Sequence, residues 1–180
     1  MSGCQPLKLP NSIGHLDRTC SPLHGIATWA VFSVTGNVMN DHEAIKAIIE
    51  RQFGSLNWSP TTPANWSAFV TDFLPGASLF PAVRPTTLQT PKDFLERMKG
   101  LATNKLYSFR EAALGHEIRV FGNVAVAVAV CEITENETQV TRGVEMMLLV
   151  KTEGRWQIAA QAWDTESESN RIPTDLLDSE

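Results

Sequence analysis

The chain has 180 residues, and 43% of them are hydrophobic, which is ordinary for one globular domain with a sizeable core. The net charge of −5, with no run of Lys or Arg, argues against a nucleic-acid or membrane surface, since both need clustered cations. Cys4, Cys20 and Cys131 lack the spacing of a CxxC motif or a zinc site. They predict free thiols in a reducing cytoplasm.

Residues 1–39 are predicted to be a loosely attached N-terminal extension, because Pro and Gly recur throughout them. The apolar stretch 23–39 is too short and too polar to cross a membrane. A secretory signal is one alternative, although the basic start and the cleavage site match poorly. A true start at Met39 is another.

Three helices are predicted after this extension, each from an N-terminal capping signal followed by apolar residues at helical spacing. The signals are Asn40 with Glu43, Thr62 before Pro63, and Thr90 before Pro91. A short strand over residues 77–83 is predicted between the second helix and the third.

Four strands are predicted over residues 106–121, 124–133, 140–151 and 155–163, with tight turns after the first and the third. The first strand would be about 50 Å long if it were straight, so we predict a bulge or kink at Gly115. The acidic tail, residues 165–180, is expected to fray, although Leu176-Leu177 could dock on the domain.

The two tight turns predict which side chains share a face of the sheet. The inner face is predicted to carry His116, Ile118 and Val120 with alternate alanines of the second strand. It is also expected to carry Arg142, Val144, Met146 and Leu148 of the third strand, with Gln161 and Trp163 of the fourth.

The opposite face is predicted to be rich in valine, from Val124 to Val130. Three helices can cover only one face of the sheet, so the second apolar face needs another partner. We therefore predict a homodimer that packs through the sheet.

Three motifs carry a resemblance to a known family: Trp66-Ser67-Ala68-Phe69 with Asp72-Phe73-Leu74, Val120-Phe121-Gly122-Asn123-Val124-Ala125, and Gly154-Arg155-Trp156-Gln157-Ile158 with Trp163. In this order they resemble the nuclear transport factor 2-like superfamily, and most of all its SnoaL-like branch, over residues 40–164. The resemblance implies a cone-shaped α+β barrel with a pocket, in which three N-terminal helices pack on a strongly curved antiparallel sheet.

In the ketosteroid isomerases of this superfamily, one Asp on the first short strand is the general base. A protonated Asp on the penultimate strand donates a hydrogen bond to the oxyanion. The matching positions are predicted to be Phe80 and Met146, and neither is a carboxylate. A register one residue different would bring in Glu145. The pocket aromatic of the last strand matches Trp163.

His116 is the best candidate for proton transfer, and the alternative is a hydrogen-bonded core or interface histidine. Arg142 is predicted to stabilise negative charge or, alternatively, to pair with Glu132. Asp72 is the third catalytic candidate, with a helix-end role as its alternative. Glu111 is a weaker candidate near the pocket mouth.

The pocket is expected to take a small hydrophobic organic ligand. Its predicted lining residues are Trp163, Gln161, Met146, Val144, Phe80 and Tyr107. Neither a metal nor a cofactor is predicted, because the histidines are scattered and no phosphate-binding glycine loop is present.

The resemblance implies a cofactor-free isomerase, cyclase or dehydratase acting on a small hydrophobic carbonyl compound. The alternatives are a non-catalytic ligand-binding protein and a dimeric association module.

Overall fold

The computed structural model describes residues 40–177, so the predicted N-terminal extension, with Cys4 and Cys20, lies outside the described residues. These described residues form an α+β domain with one five-stranded sheet. Its elements in order are α1 (Asp41–Ser55), α2 (Trp66–Thr71), β1 (Phe73–Phe80), α3 (Pro91–Asn104), β2 (Phe109–Phe121), β3 (Val124–Glu135), β4 (Gln139–Thr152), β5 (Arg155–Thr165) and a 3-10 turn, η1 (Thr174–Leu176).

Two of the predicted capping signals are confirmed. The Asn40 side chain accepts a 2.9 Å hydrogen bond from the Glu43 amide at the start of α1. Thr90 and Asp93 bond reciprocally at the start of α3. The predicted start of the second helix at Thr62 is wrong, because Asn65 caps α2 and Thr62 pairs instead with Ser59 through backbone hydrogen bonds.

The strand order across the sheet is β1-β5-β4-β3-β2. Strands β2 to β5 are antiparallel neighbours, whereas β1 runs parallel to β5, so the sheet is mixed rather than antiparallel throughout. Tight turns impose antiparallel pairing on consecutive strands. The connection from β1 to β5 is long enough to allow the parallel orientation.

Two irregularities in strand pairing decide which side chains face inward. In β2 the pairing shifts between Ala113 and Gly115, beside the glycine where a bulge was predicted. In β5 the partner of Leu149 is Ile158 and the partner of Leu148 is Ala160, so Ala159 is an extra residue. Each extra residue reverses the alternation of side chains beyond it.

The shift at Ala159 corrects the predicted faces of β4. Gln161 lies opposite Met147, and Trp163 lies opposite Glu145. Met147 and Glu145 therefore share the inner face with these β5 residues. The inner-face placement predicted for Arg142, Val144, Met146 and Leu148 is wrong for this reason.

The core lies between the inner face of the sheet and the helices. Small side chains on β3, such as Ala127 and Ala129, are buried under α1. Large apolar side chains then fill the space around them, and the fully buried ones include Ile45, Ile49, Leu79, Leu149 and Ile158.

Among residues 40–177, the outer face is covered at one end only. The turn η1 contacts β2 and β3, and a Cβ on Gly115 would overlap the carbonyl oxygen of Leu176. Val130 is fully buried at this end, whereas Val126, Met146 and Leu148 stay between 46% and 59% exposed. Within residues 40–177, none of the helices has the length and apolar character needed to cross a bilayer.

Candidate functional site

A cavity of about 160 Å³ lies between the inner face of the sheet and the helices. Most of its walls are apolar, and they include Phe53, Leu56, Phe69, Leu79, Phe94, Met98 and Trp163. Phe94 stacks on Phe69 with ring centroids 5.1 Å apart and meets the edge of Trp163 at 5.6 Å. These walls suit the faces of a flat ring.

Two buried carboxyl groups border this cavity. Glu111 on β2 is 5% exposed and Glu145 on β4 is 9% exposed. Cys131 on β3, the strand between them, is 2% exposed. One carboxyl oxygen of each glutamate and the sulfur of Cys131 lie within 4.8 Å of one another. Three adjacent strands thus bring one acidic cluster to a single point on the inner face.

Neighbouring side chains hold both glutamates in place. The Asn57 amide oxygen accepts a 2.6 Å hydrogen bond from the Glu111 backbone, and its nitrogen donates to the Glu111 carbonyl at 3.2 Å. The Gln161 amide nitrogen donates to the Glu145 carboxyl. The Glu111 backbone and the Glu145 carboxyl are therefore held in place before any ligand binds.

Burial changes the protonation of the cluster. It raises the pKa of Glu111 to about 7, against a smaller lowering by the hydrogen bond with Cys131. Burial and the nearby Glu111 raise the pKa of Glu145 well above its usual value, although the hydrogen bond with Gln161 lowers it. Burial also raises the pKa of the Cys131 thiol. Near neutral pH the pair of carboxyls therefore keeps at least one proton.

Two amide oxygens beside the cluster have no donor. The Oε1 atoms of Gln52 and Gln161 are buried and accept no hydrogen bond from residues 40–177, and both side chains line the cavity. The Gln52 nitrogen donates to the carbonyl of Phe69 at 3.0 Å and to Asp72 at 3.4 Å. Because both partners are acceptors, the orientation of this amide is fixed.

Four of the predicted site residues border the cavity. Gln161 and Trp163 belong to the inner face, whereas Arg142 and Val144 occupy the alternate positions of β4, whose side chains lie on the outer face. The Arg142 guanidinium donates to Glu132 at 2.8 and 3.0 Å, which is the pairing predicted as its alternative. Met146 is 59% exposed on the outer face, and Phe80 is 37% exposed at the end of β1, so neither lines the cavity.

The remaining predicted residues lie elsewhere. His116 is half-buried on the inner face, where burial and nearby Lys46 lower its pKa, and it does not line the cavity. Asp72 is 1% exposed and held by Arg51 at 2.7 to 3.1 Å. The exposed Tyr107 donates to the Asn136 carbonyl at 2.8 Å. Catalytic roles for His116, Arg142 and Asp72 stay predictions.

Sequence reasoning undervalued Glu111 and Glu145, although a signal was present. Each is a charged residue inside a strand, and Glu145 stands in the run Val144-Glu145-Met146-Met147. Ionisable residues are seldom fully buried unless they are paired, so a carboxylate in an apolar strand deserves weight as a functional candidate.

Glu111, Cys131 and Glu145 also lie close enough to be considered as a metal site. The set provides only three groups and lacks the imidazole common in zinc and iron sites. All three groups favour their protonated forms, which opposes cation binding. We therefore interpret the cluster as an acid–base group.

No protein-family model matches the sequence, and neither does any curated protein. Solved structures do match. A protein of unknown function with a cystatin-like fold from Nostoc punctiforme is 10% identical, with a TM-score of 0.57 over 72% of this chain and 96% of that chain. A protein provisionally assigned as a scytalone dehydratase, from Novosphingobium aromaticivorans, is 12% identical, with a TM-score of 0.57 over 70% of this chain and 84% of that chain.

A nuclear transport factor 2-like protein of unknown function from Pseudomonas putida is also 12% identical. Its TM-score is 0.56 over 75% of this chain and 96% of that chain. At such identities a likeness shows the fold alone. The chain has the nuclear transport factor 2-like fold that its sequence resembles.

Proposed function

We propose that the protein is a cofactor-free enzyme that transfers protons on a small hydrophobic carbonyl compound, as an isomerase or dehydratase does. The observation that carries this proposal is the pair of buried carboxyls, Glu111 and Glu145, at an apolar cavity. A cone-shaped curvature of the sheet around that cavity, and a cytoplasmic location, belong to the proposal.

The two carboxyls have different environments and therefore different roles. Glu145, whose pKa is raised well above its usual value, stays protonated near neutral pH and donates a hydrogen bond to the substrate oxygen. Glu111, with a pKa of about 7, is suited to act as general base. Its ionised form removes a proton from the carbon next to the carbonyl.

The proposed reaction balances without a further reactant. The C–H bond breaks, its electron pair forms the double bond of an enolate, and the proton moves to Glu111. Glu145 stabilises the developing oxygen charge by hydrogen bonding. Glu111 then returns the proton to another carbon, which completes an isomerisation, or to a departing β-hydroxyl, which leaves as water and completes a dehydration.

A non-catalytic binding protein is the alternative, and the unsatisfied amide oxygens of Gln52 and Gln161 favour it, because a bound ligand can supply their donors. Proton exchange separates the two functions. A binding protein holds a ring compound without exchanging its protons, whereas the proposed enzyme exchanges them.

The test is to incubate single-ring enones in D₂O and to measure deuterium next to the carbonyl by NMR. Wild type is expected to catalyse exchange, and Glu111→Gln is expected to lose about 10²- to 10⁴-fold, because it removes the base. Glu145→Gln should also lose exchange, since an amide is a weaker donor than a carboxylic acid.

His116→Ala and Glu96→Gln serve as controls. His116 does not line the cavity, and Glu96 is exposed and paired with Lys99. Both variants should keep wild-type exchange. If His116→Ala lost exchange while Glu111→Gln stayed active, His116 rather than Glu111 would be the residue that transfers the proton.

A second copy of the chain is the proposed partner on the outer face of the sheet. Val126, Met146 and Leu148 are exposed there and lie together, since Val126 pairs with Leu148 and Val128 with Met146. Contiguous apolar patches of this kind commonly mark protein interfaces.

A further inference from the structure

Three polar side chains at the cavity offer hydrogen-bond acceptors to a ligand. Gln52 and Gln161 each have a buried amide oxygen with no donor in the described part of the chain. Ionised Glu111 accepts hydrogen bonds as well, and the Cys131 thiol is one donor to it. A ligand in contact with these atoms is stabilised when its own polar groups are donors.

The size of the cavity limits the ligand to a single ring. An apolar cavity of about 150 Å³ holds one benzene molecule, and the volume here is about 160 Å³. The aromatic walls formed by Phe69, Phe94 and Trp163 add flat contact surfaces for such a ring. A four-ring compound does not fit this volume without displacing core side chains.

We propose that the cavity selects a neutral, single-ring compound with at least two hydroxyl groups, whose O–H groups donate to the oxygens of Gln52 and Gln161. This inference rests on the proposed function only for its claim that the ligand is a substrate. The preference for donors follows from the unsatisfied oxygens themselves.

A cationic side chain at the cavity, Arg97, would favour an anionic ligand instead. Arg97 borders the cavity, its guanidinium lies 4.8 Å above the Phe94 ring, and it forms no salt bridge within the described range 40–177. An anionic ligand could pair with it. Such a ligand would also bring a second negative charge to the carboxyl pair and would leave both amide oxygens without a donor, so a carboxylate should bind poorly.

The test is calorimetric titration of the full chain with three probes of similar size: resorcinol, toluene and benzoate. Resorcinol is expected to bind at least tenfold more tightly than toluene, since one hydrogen bond to a buried acceptor corresponds to about tenfold in affinity. Benzoate is expected to bind more weakly than either. The wild-type measurements are sufficient to overturn the proposal. They would do so if toluene and resorcinol bound with equal affinity, or if benzoate bound more tightly than resorcinol.

Gln161→Met provides the matched variant, because methionine keeps the length of the side chain without the amide. It should lower the ratio of resorcinol to toluene affinity about tenfold while leaving toluene binding within about twofold. Gln157→Met is the control, since Gln157 lies on the same strand, donates to the Phe73 carbonyl at 3.0 Å and does not line the cavity. An unchanged ratio in Gln161→Met would refute the role of its oxygen.

The outcomes for ligand and reaction are separable. If resorcinol binds as expected but no enone exchanges deuterium, the donor preference stands and the proton-transfer function fails. If enones exchange deuterium but hydroxyl groups add no affinity, the function stands and the proposed ligand class fails.

Discussion

Glu111 makes folding stability depend on pH, because burial raises its pKa from 4.5 to about 7. Below pH 4.5 the folded and unfolded states both hold this proton. Between pH 4.5 and 7 only the folded state keeps it, so the folded state binds more protons and stability falls as the pH rises. A shift of this size corresponds to about 3 kcal/mol lost by the time the pH passes 7.

The measurement is the free energy of unfolding by urea between pH 5 and pH 8. Glu111→Gln should show a shallower decline than wild type over this range, because glutamine does not titrate. Glu96→Gln, which changes an exposed carboxylate, should keep the wild-type decline. If the free energy of unfolding fell equally with pH in wild type and Glu111→Gln, burial would not raise the pKa of Glu111.

The residues of the site were only partly predictable. Gln161 was predicted from side-chain alternation after the turn at Glu153-Gly154, and Trp163 also from the family's pocket aromatic. Both line the cavity, and their role in binding stays a prediction. Glu145 could be predicted at the pocket only if the strand register differed by one residue from the register assumed. The extra residue Ala159 in β5 causes a shift of one residue. Nothing in Ile158-Ala159-Ala160 marks a bulge, since bulges there depend on tertiary packing rather than on a local signal.

At the scale of elements, two of the three capping signals and the glycine signal in β2 predicted the structure correctly. The caps Asn40 and Thr90 were predicted correctly, and so was the neighbourhood of Gly115 as the irregular point of β2. The start of α2 was wrong because two capping candidates, Thr62 and Asn65, compete within four residues. The parallel pairing of β1 depends on distant β5 and has no local sequence signal.

Gly115 also allows the C-terminal turn to approach the sheet. Gly115→Ala would put a Cβ into the backbone oxygen of Leu176, so η1 must move away, at a cost of about 1–3 kcal/mol. Hydrogen exchange measured by mass spectrometry should show faster exchange in residues 174–177. The cavity should be unaffected, because Gly115 pairs with Val130 on the outer side.

Gly100→Ala is the matched control for this substitution. Gly100 lies in α3, and no atom of residues 40–177 comes within 4 Å of an added Cβ there. Alanine there should stabilise the protein by about 0.5–1 kcal/mol, because it lowers the entropy of the unfolded chain. Unchanged exchange at residues 174–177 in Gly115→Ala would mean that η1 is not held against the sheet.

At the scale of the molecule, the α+β class and the superfamily fold were predictable because they depend on element order and hydrophobic alternation, and many residues contribute to both. The composition of the two faces was less predictable, since one extra residue reverses every side chain beyond it. The outer face nevertheless remained apolar after this reversal. Met146 and Leu148, which were predicted for the inner face, lie beside the valines of β3 on the outer face.

This exposed face leads to the prediction of oligomeric state. We expect wild type to sediment as a dimer at micromolar concentration, because Val126, Met146 and Leu148 would otherwise keep an apolar patch in water. Val126→Glu and Met146→Lys should each shift the protein to monomer, because a charge buried in an apolar interface lacks a partner. Val83→Glu is the control, since Val83 is 72% exposed but lies in the loop after β1. A dimer through the sheet would be ruled out if wild type sedimented as a monomer. It would also be ruled out if Val83→Glu dissociated as readily as Val126→Glu.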